Sequence, residues 1–128
     1  MQLFSLGLVK LNPDGTTQRD ARGKPLETYT QQDVAELARA LTGWEYAKVS
    51  STDVYAHFGS PLAATQPLFH DMDRKSVLGT TFPAGQSAER DLDQVIEMLM
   101  AHPNIGPFVS LRLIQHLVKS DPTPAYVG

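Results

Sequence analysis

Apolar residues recur at helical spacing in three stretches of the chain, and each stretch carries the signals of a helix end. The first predicted helix is capped by Thr30 and ends at Thr42-Gly43. The second begins at its N-cap Ser87 and runs to Ala101, and the third runs from Ile105 to about Lys119. The stripes of the first two helices consist of Val34, Leu37, Ala38 and Leu41, and of Leu92, Val95, Ile96 and Leu99.

The third predicted helix is apolar around most of its circumference, as is typical of a central helix. We therefore expect it to pack against the stripe of the second helix and near Trp44. A further short helix is predicted from Pro124, because proline is favoured at the first helical position. The apolar residues of the third helix are Ile105, Phe108, Val109, Leu111, Leu113, Ile114, Leu117 and Val118.

The segments between these helices favour extended backbone and turns. Asn12-Pro13-Asp14-Gly15 has the composition of a tight turn, which predicts a long exposed β-hairpin or extended loop over Leu8–Leu26. Pro67–Phe82 is predicted as strand, turn and strand, with the turn at "HDMDRK". Glu45–Gln66 has no sustained period and is predicted as a surface loop in which Val54, Tyr55 and Phe58 form one anchoring turn. The predicted fold class is mainly α: a small helical domain with one or two β-hairpins or extended loops.

The start of the chain predicts a helix that began earlier. Met1–Leu6 is typical of the last turns of a helix, with Gly7 as the left-handed residue that stops it. A helix this short is marginal alone, so we expect residues 1–128 to be a single domain and a fragment of a larger helical protein. Six apolar residues near the two ends should then be exposed, disordered or covered by a second copy through self-association. They are Met1, Leu3, Phe4, Leu6, Tyr126 and Val127.

Composition narrows the classes of function. The 128 residues carry 11 basic and 14 acidic side chains, a net charge of −3, with no Lys/Arg cluster, so a nucleic-acid partner is not expected. No apolar run has the length of a membrane span. The chain has no cysteine, which removes disulfides, thiolate metal sites and cysteine nucleophiles. "MQLFSLGLVK" does not have the pattern of a signal peptide.

Three polar residues in one short stretch are the candidate metal ligands: His70, Asp71 and Asp73. Imidazole and carboxylates can hold a divalent cation, and an Asp can orient a His base. The alternative is a turn in which Asp side chains accept hydrogen bonds from nearby backbone N–H groups. Neighbouring residues on a strand point to opposite faces, which disfavours His70 and Asp71 as co-ligands. Counted from Asp71, the twelfth position is Phe82 rather than Glu, so the stretch is not an EF-hand.

The remaining candidate residues favour structural roles. Ser87 lies in "GQSAE", an incomplete nucleophile elbow, and is interpreted as a helix cap. His102 and His116 lie on or beside helices, where a helix C-terminus favours a histidine. Trp44 could stack a sugar or a base, but a single Trp beside an amphipathic helix is more often part of a core. No catalytic or cofactor-binding residue and no cofactor is assigned.

Five segments in order resemble a large bacterial family known as domain of unknown function eighteen-hundred: "MQLFSLGL", "YTQQDVAELARALTGW", "FHDMDRKSVLG", "LDQVIEMLMAHPNIGPFVSLRLIQHLV" and "DPTPAYV". The family's motifs fall here on Leu3–Gly7, Ala38–Trp44, His70–Gly79 and His102–Val109. Its Asn-Tyr-Ala-Arg-Glu-Leu lead-in is absent, which implies a piece of a longer protein. The resemblance implies a largely helical fold and often export, and it implies no particular reaction. Where the family has Gly after the His-Asp pair, this chain has Met72-Asp73.

Two functions follow as hypotheses. The first is a non-enzymatic helical interaction or structural module of an exported bacterial protein, periplasmic or secreted, which binds a protein partner or orders the rest of its own chain. The second is part of a metal-dependent enzyme with His70 and Asp71 in the site and further ligands elsewhere in a longer chain.

Overall fold

The structure, a computed structural model of the 128-residue chain, describes residues 5–46, 60–64 and 68–128. It is 38% helical and 17% strand, with two small antiparallel hairpins, so extended backbone takes a larger share than "mainly α" implies. The described helices are α1 (Gln31–Ala40), α2 (Ala88–Ala101), α3 (Ile105–Leu117) and α4 (Pro124–Val127). The described strands are β1 (Trp44–Tyr46), β2 (Leu62–Ala64), β3 (Lys75–Val77) and β4 (Thr80–Phe82). None of the helices in these ranges is long and apolar enough to cross a membrane.

The chain divides into two compact units. We call Gln31–Ile96 the central unit, and Met1–Thr30 together with Glu97–Gly128 the terminal unit. Helix α2 begins in the central unit and ends in the terminal unit.

In the terminal unit, the predicted hairpin over Leu8–Leu26 folds back twice rather than once. Its first turn closes at Gly15, whose N–H donates to the Asn12 carbonyl, and its second at Gly23, whose N–H donates to the Asp20 carbonyl. Isolated bridges then join Val9 to Glu27, Leu11 to Thr17 and Arg19 to Pro25. Three short extended segments are therefore formed, and each of them pairs with both of the others through a single bridge. Because each pairing is this short, none of the segments forms a regular strand.

Helix α3 is less buried than its composition predicted. Of its residues only Phe108 is buried, at 7% exposure, whereas Leu113 is 54% and Leu117 78% exposed. The prediction of a central helix is therefore wrong for the described chain. Apolar residues around a helix show that it could be buried on every side, but they do not show that other elements surround it. The expectation that Leu6 is exposed is also wrong, since Leu6 is completely buried.

Gly7 explains how Phe108 is accommodated. Gly7 has φ +67°, as predicted for the left-handed residue, and a Cβ atom there would lie 2.5 Å from the Phe108 ring. The absence of a side chain at Gly7 thus lets the ring approach the backbone. Met1, Leu3 and Phe4 lie outside the described residues, whereas Tyr126 is exposed as expected.

In the central unit, helix α1 packs against β3 of the second hairpin. The turn between β3 and β4 lies at Leu78-Gly79, not at "HDMDRK" as predicted. Both turn residues have positive φ, +50° and +78°, which is the requirement of a two-residue type I′ hairpin turn. The polar residues before Lys75 are therefore free of the turn and can make contacts of their own.

The first hairpin lies in the segment predicted as a loop. Strands β1 and β2 pair antiparallel, with Trp44 opposite Ala64 and Tyr46 opposite Leu62. Val54, Tyr55 and Phe58 of the predicted anchoring turn lie outside the described residues. Among the described residues of the central unit, the buried apolar ones are Ala40, Val77, Phe82, Ala88 and Val95.

Candidate functional site

His70 is held in the central unit by contacts on both sides of its ring. Its Nδ1 lies 2.9 Å from the Thr42 carbonyl oxygen, and because a carbonyl only accepts, Nδ1 carries the proton of this bond. Its Nε2 lies 3.3 Å from Oδ2 of Asp91. Gly43 allows this position, because a Cβ atom there would lie 2.9 Å from the His70 Cβ.

Asp91, in the first turn of α2, is the centre of a polar cluster that we define as His70, Lys75, Gln86 and Asp91, in which Gln86 is half-buried and the other three residues are buried. Lys75 Nζ donates to Oδ2 at 2.8 Å, and Gln86 Nε2 donates to Oδ1 at 2.6 Å. The side chains of Lys75 and Asp91 are 0% exposed, and that of His70 is 2% exposed. A buried charge is tolerated when it is paired and hydrogen-bonded, and the Lys75–Asp91 pair meets both conditions.

The contact between His70 and Asp91 is of a different kind. Their separation is that of an ion pair, but Nε2 is buried and has no hydrogen-bond partner among the described residues. The ring is therefore near the carboxylate without being aligned for a hydrogen bond to it. Poor alignment weakens a hydrogen bond steeply, so this contact holds the ring less firmly than the bond from Nδ1 to the Thr42 carbonyl.

Asp71, the next residue along the chain, is paired with Arg39 of α1. Arg39 Nε donates to Oδ2 at 2.7 Å and Nη2 to Oδ1 at 3.2 Å, a bidentate contact. Hydrogen bonding to Arg39 is the main cause that lowers the pKa of Asp71 to about 2, and a hydrogen bond from the Asp73 backbone adds to it. The Asp71 backbone N–H donates to Thr42 Oγ1 at 2.8 Å. Both oxygens of the Asp71 carboxylate therefore accept hydrogen bonds from the Arg39 guanidinium.

Asp73, the third predicted metal ligand, contacts Asp71 through its backbone and not through its side chain. Its side chain is exposed, and its backbone N–H donates to Asp71 Oδ1 at 2.9 Å, the side chain-to-backbone bond expected of a turn. His70 faces Asp91 while Asp71 faces Arg39, so the structure does not bring the three side chains together. Within residues 5–46, 60–64 and 68–128, no group of three or more histidines or carboxylates is arranged to hold a metal ion. Metal binding by His70, Asp71 and Asp73 stays a prediction.

Carboxylates of α1 accept hydrogen bonds from the backbone of the second hairpin. Glu36 Oε2 accepts the Ser76 N–H at 3.1 Å, and Asp33 Oδ1 accepts the Leu78 N–H at 2.7 Å. Arg39 Nη1 donates to Glu36 at 2.9 Å, and this bond is the main cause that lowers the pKa of Glu36. The acidic residues of α1 therefore hold the hairpin in place beside the helix.

Sequence reasoning missed most members of these networks. The sequence pattern singles out neither Lys75 nor Asp91 as a candidate site residue. A signal was available for Lys75, since it alternates with Val77 on the buried face of β3. The signal for Asp91 was its spacing, since it lies on the same face of α2 as the buried residues Ala88 and Val95, at i, i+3 and i+7.

A second polar network lies in the terminal unit, around Asn104. Its Oδ1 accepts the Leu11 N–H at 2.6 Å, and its Nδ2 donates to the carbonyls of Leu6 at 2.6 Å and Val9 at 3.0 Å. The side chain therefore makes no capping bond to α3, although Asn104 precedes that helix. It fixes the extended segment against the start of α3 instead.

His102 lies just after the last residue of α2 and accepts the Asn104 N–H on its Nδ1 at 3.1 Å. Burial lowers the pKa of His102, and the positive charge of Lys10 lowers it further. The C-terminus of α2 would favour a positively charged His102, whereas burial and the charge of Lys10 both disfavour it. His116 is exposed.

Trp44 lines an apolar pocket of about 480 Å³ with Leu41, Leu62 and Leu92. Its indole N–H is buried without a hydrogen-bond partner in the part of the chain that the structure describes. Ser87 Oγ accepts the Arg90 N–H at 3.3 Å, as an N-cap side chain does at its third helical residue.

Comparison with known proteins assigns the chain to a family. No curated protein matches it, and no solved structure matches it. The motif at Ala38–Trp44 supplies Arg39, Thr42 and Gly43 to the site, and the motif at His70–Gly79 supplies the side chains that they contact. The family model described as "Protein of unknown function (DUF1800)" matches residues 1–128, and the chain therefore belongs to this family.

Proposed function

We propose that the chain is a non-enzymatic module of an exported bacterial protein, which binds a protein partner or the remainder of a longer chain. The single observation that carries the proposal is the closure of its most polar site. The Lys75 and Asp91 side chains are 0% exposed and bonded to each other. A catalytic group must reach a substrate or a water molecule, whereas these two groups contact each other and the side chains of His70 and Gln86 in the same cluster.

The ring nitrogens of His70 support the same proposal. Nδ1 is committed to the Thr42 carbonyl, and Nε2 is enclosed beside Asp91. A metal ligand, or a general base that acts on an external substrate, needs one ring nitrogen that is open to the metal or to that substrate. Asp71 is occupied in the same way by the guanidinium of Arg39.

Exposed apolar side chains supply a surface for binding. On and after α3, Leu113, Leu117 and Val118 are more than half exposed, and so is Tyr126 of α4. Contiguous apolar surface on a soluble chain is a marker of an interaction site. We expect this surface, which we call the α3–α4 surface, to be covered in the assembled protein by a partner, by further chain or by a second copy.

Thermal melting with added cations tests this proposal against the metal-dependent enzyme. Calcium, zinc and manganese would each be added to the wild-type chain, to His70→Ala/Asp71→Ala, and to His116→Ala, which removes an exposed histidine. We expect no cation to raise Tm in a way that depends on His70 and Asp71. A rise that His70→Ala/Asp71→Ala abolishes and His116→Ala retains would establish the metal site and overturn the proposal.

The α3–α4 surface has its own test by light scattering. We expect concentration-dependent self-association of the wild-type chain that Leu117→Lys weakens. Leu68→Lys is the matched control, because Leu68 is also highly exposed but lies in the central unit. A chain that stays monomeric at high concentration, or equal effects of the two variants, would contradict the assignment of this surface.

Export and membership of a longer bacterial protein rest on the resemblance of the sequence to a family whose members are often exported. Fractionation of cells that express the full-length protein would test this part. Recovery in the cytoplasmic fraction alone would contradict it.

A further inference from the structure

Beyond the proposed function, the geometry points to a covalent modification: we propose that Lys75 and Asp91 become joined by an intramolecular isopeptide bond between Lys75 Nζ and Asp91 Cγ. The amine and the carboxylate are already in contact, with Nζ 2.8 Å from Oδ2, and both side chains are 0% exposed. The carboxyl carbon lies one covalent bond beyond Oδ2. The amine is therefore near the separation of about 3–3.5 Å at which bound groups react.

The first step is a proton transfer along the existing hydrogen bond. Lys75 Nζ gives one proton to Asp91 Oδ2, which converts an ammonium and a carboxylate into a neutral amine and a carboxylic acid. Ions removed from water carry a desolvation cost, and this transfer neutralises both members of the pair. A desolvated lysine in its neutral form is a nucleophile.

The second step forms the bond. Nζ attacks Cγ, and the negative charge develops on Oδ1, which accepts the hydrogen bond from Gln86 Nε2 at 2.6 Å. A donor already aimed at the developing oxyanion stabilises the tetrahedral intermediate. Gln86 thus has the position of an oxyanion donor.

The last step releases water, and it requires the His70 ring to turn into alignment with Oδ2 so that it can carry the proton. With its proton on Nδ1, the neutral ring has its lone pair on Nε2, which is 3.3 Å from Oδ2 and has no other partner among the described residues. His70 takes the second proton from Nζ and gives it to Oδ2, which leaves as water while the C=O bond to Oδ1 re-forms. Of the three protons of the ammonium, one stays on the amide nitrogen and two leave in the water, so no oxidant or other reactant is needed.

A cross-link at this position would join two parts of the central unit that no disulfide can join. Lys75 begins β3 and Asp91 lies in the first turn of α2. The chain has no cysteine. A covalent bond between these elements would close the segment between them into a loop and reduce the entropy of the unfolded chain.

Mass spectrometry of the purified, denatured wild-type chain decides the proposal. We expect an intact mass lower than the sequence mass by one water molecule. After digestion with trypsin, residues 75–90 and 91–112 should be recovered as one branched peptide, uncleaved after Lys75. An intact mass equal to the sequence mass overturns the proposal. So does a loss of water that maps elsewhere, such as a succinimide at Asp14-Gly15.

Variants identify the groups involved. Lys75→Arg keeps the cation but is not a comparable nucleophile, so its mass should equal its sequence mass. Asp91→Asn should lose ammonia in place of water, because the leaving group is then the amide nitrogen. His70→Gln should lower the cross-linked fraction. If the variants fail to fold, the wild-type mass and peptide map still decide the outcome.

Discussion

Truncation of Phe108 and Leu113 to alanine separates two readings of helix α3. Both residues belong to the same apolar helix, and the sequence alone predicts a similar cost of about 3 kcal/mol for each. The structure predicts different costs, because Phe108 is 7% and Leu113 54% exposed. The two variants therefore form an internal comparison within one helix.

The expected magnitudes follow from burial. Phe108→Ala removes a buried ring that lies against Gly7 and under the Arg112 guanidinium, and such truncations cost about 3–5 kcal/mol. We expect the lower end, because the ring also borders a groove into which neighbouring atoms can relax. Full burial of a leucine is worth about 1.5–3 kcal/mol, so roughly half burial puts Leu113→Ala near 1 kcal/mol.

Urea denaturation followed by circular dichroism measures both values, provided that the m-value is unchanged. We expect the free energy of unfolding to fall by at least about 2 kcal/mol more for Phe108→Ala than for Leu113→Ala. Equal losses would show that α3 is buried on both faces in solution and would contradict the exposure of Leu113.

Three further predictions concern the polar networks. Gly43→Ala and Gly23→Ala both place Ala at positive φ, which costs about 1–2 kcal/mol, but only the Gly43 variant brings Cβ to 2.9 Å from His70. Urea denaturation should show an additional loss of at least about 1 kcal/mol for Gly43→Ala, and equal losses would contradict the close approach. The pKa of Asp71 lies near 2 in the folded chain against an ordinary 3.8. Asp71 should therefore stabilise the fold above about pH 4 and lose this contribution as pH falls toward 2, and acid titrations should show a smaller stability change in that window for Asp71→Asn. Asn104→Ala should cost at least about 2 kcal/mol by urea denaturation, since it strands buried backbone groups, and a loss below about 1 kcal/mol would contradict this role.

Local signals in the sequence were sufficient for the helices. Three of them begin and end within a few residues of their predictions, because caps, glycine stops and a 3.6-residue period are local properties. Pro124 marked the start of α4 for the same reason. The hairpin turn was misplaced because Leu78 was not expected at positive φ, where a non-glycine residue is strained.

The contacts of the candidate site could be predicted only in part. Because neighbouring side chains on extended backbone point to opposite faces, the sequence predicts different surroundings for His70 and Asp71. In the structure His70 lies beside Asp91 and Asp71 pairs with Arg39. The partners of these two residues could not be predicted, because both are distant in the sequence. Arg39 lies 32 residues before Asp71, and Asp91 lies 21 residues after His70. A single sequence carries the residue types of such a network but not the long-range packing that brings them together.

A double-mutant cycle on Lys75 and Asp91 tests most directly whether the most polar site of the chain holds the fold together. Lys75→Met and Asp91→Ala should each lower the free energy of unfolding by about 3–5 kcal/mol, because each leaves a buried group without its partner. The double variant should cost clearly less than the sum, with a coupling energy of about 1–3 kcal/mol. Arg74→Met, at an exposed neighbouring position, should change stability by no more than about 0.5 kcal/mol. Small and additive losses for Lys75→Met and Asp91→Ala would show that the pair does not hold the fold together and would reopen the site to a catalytic role.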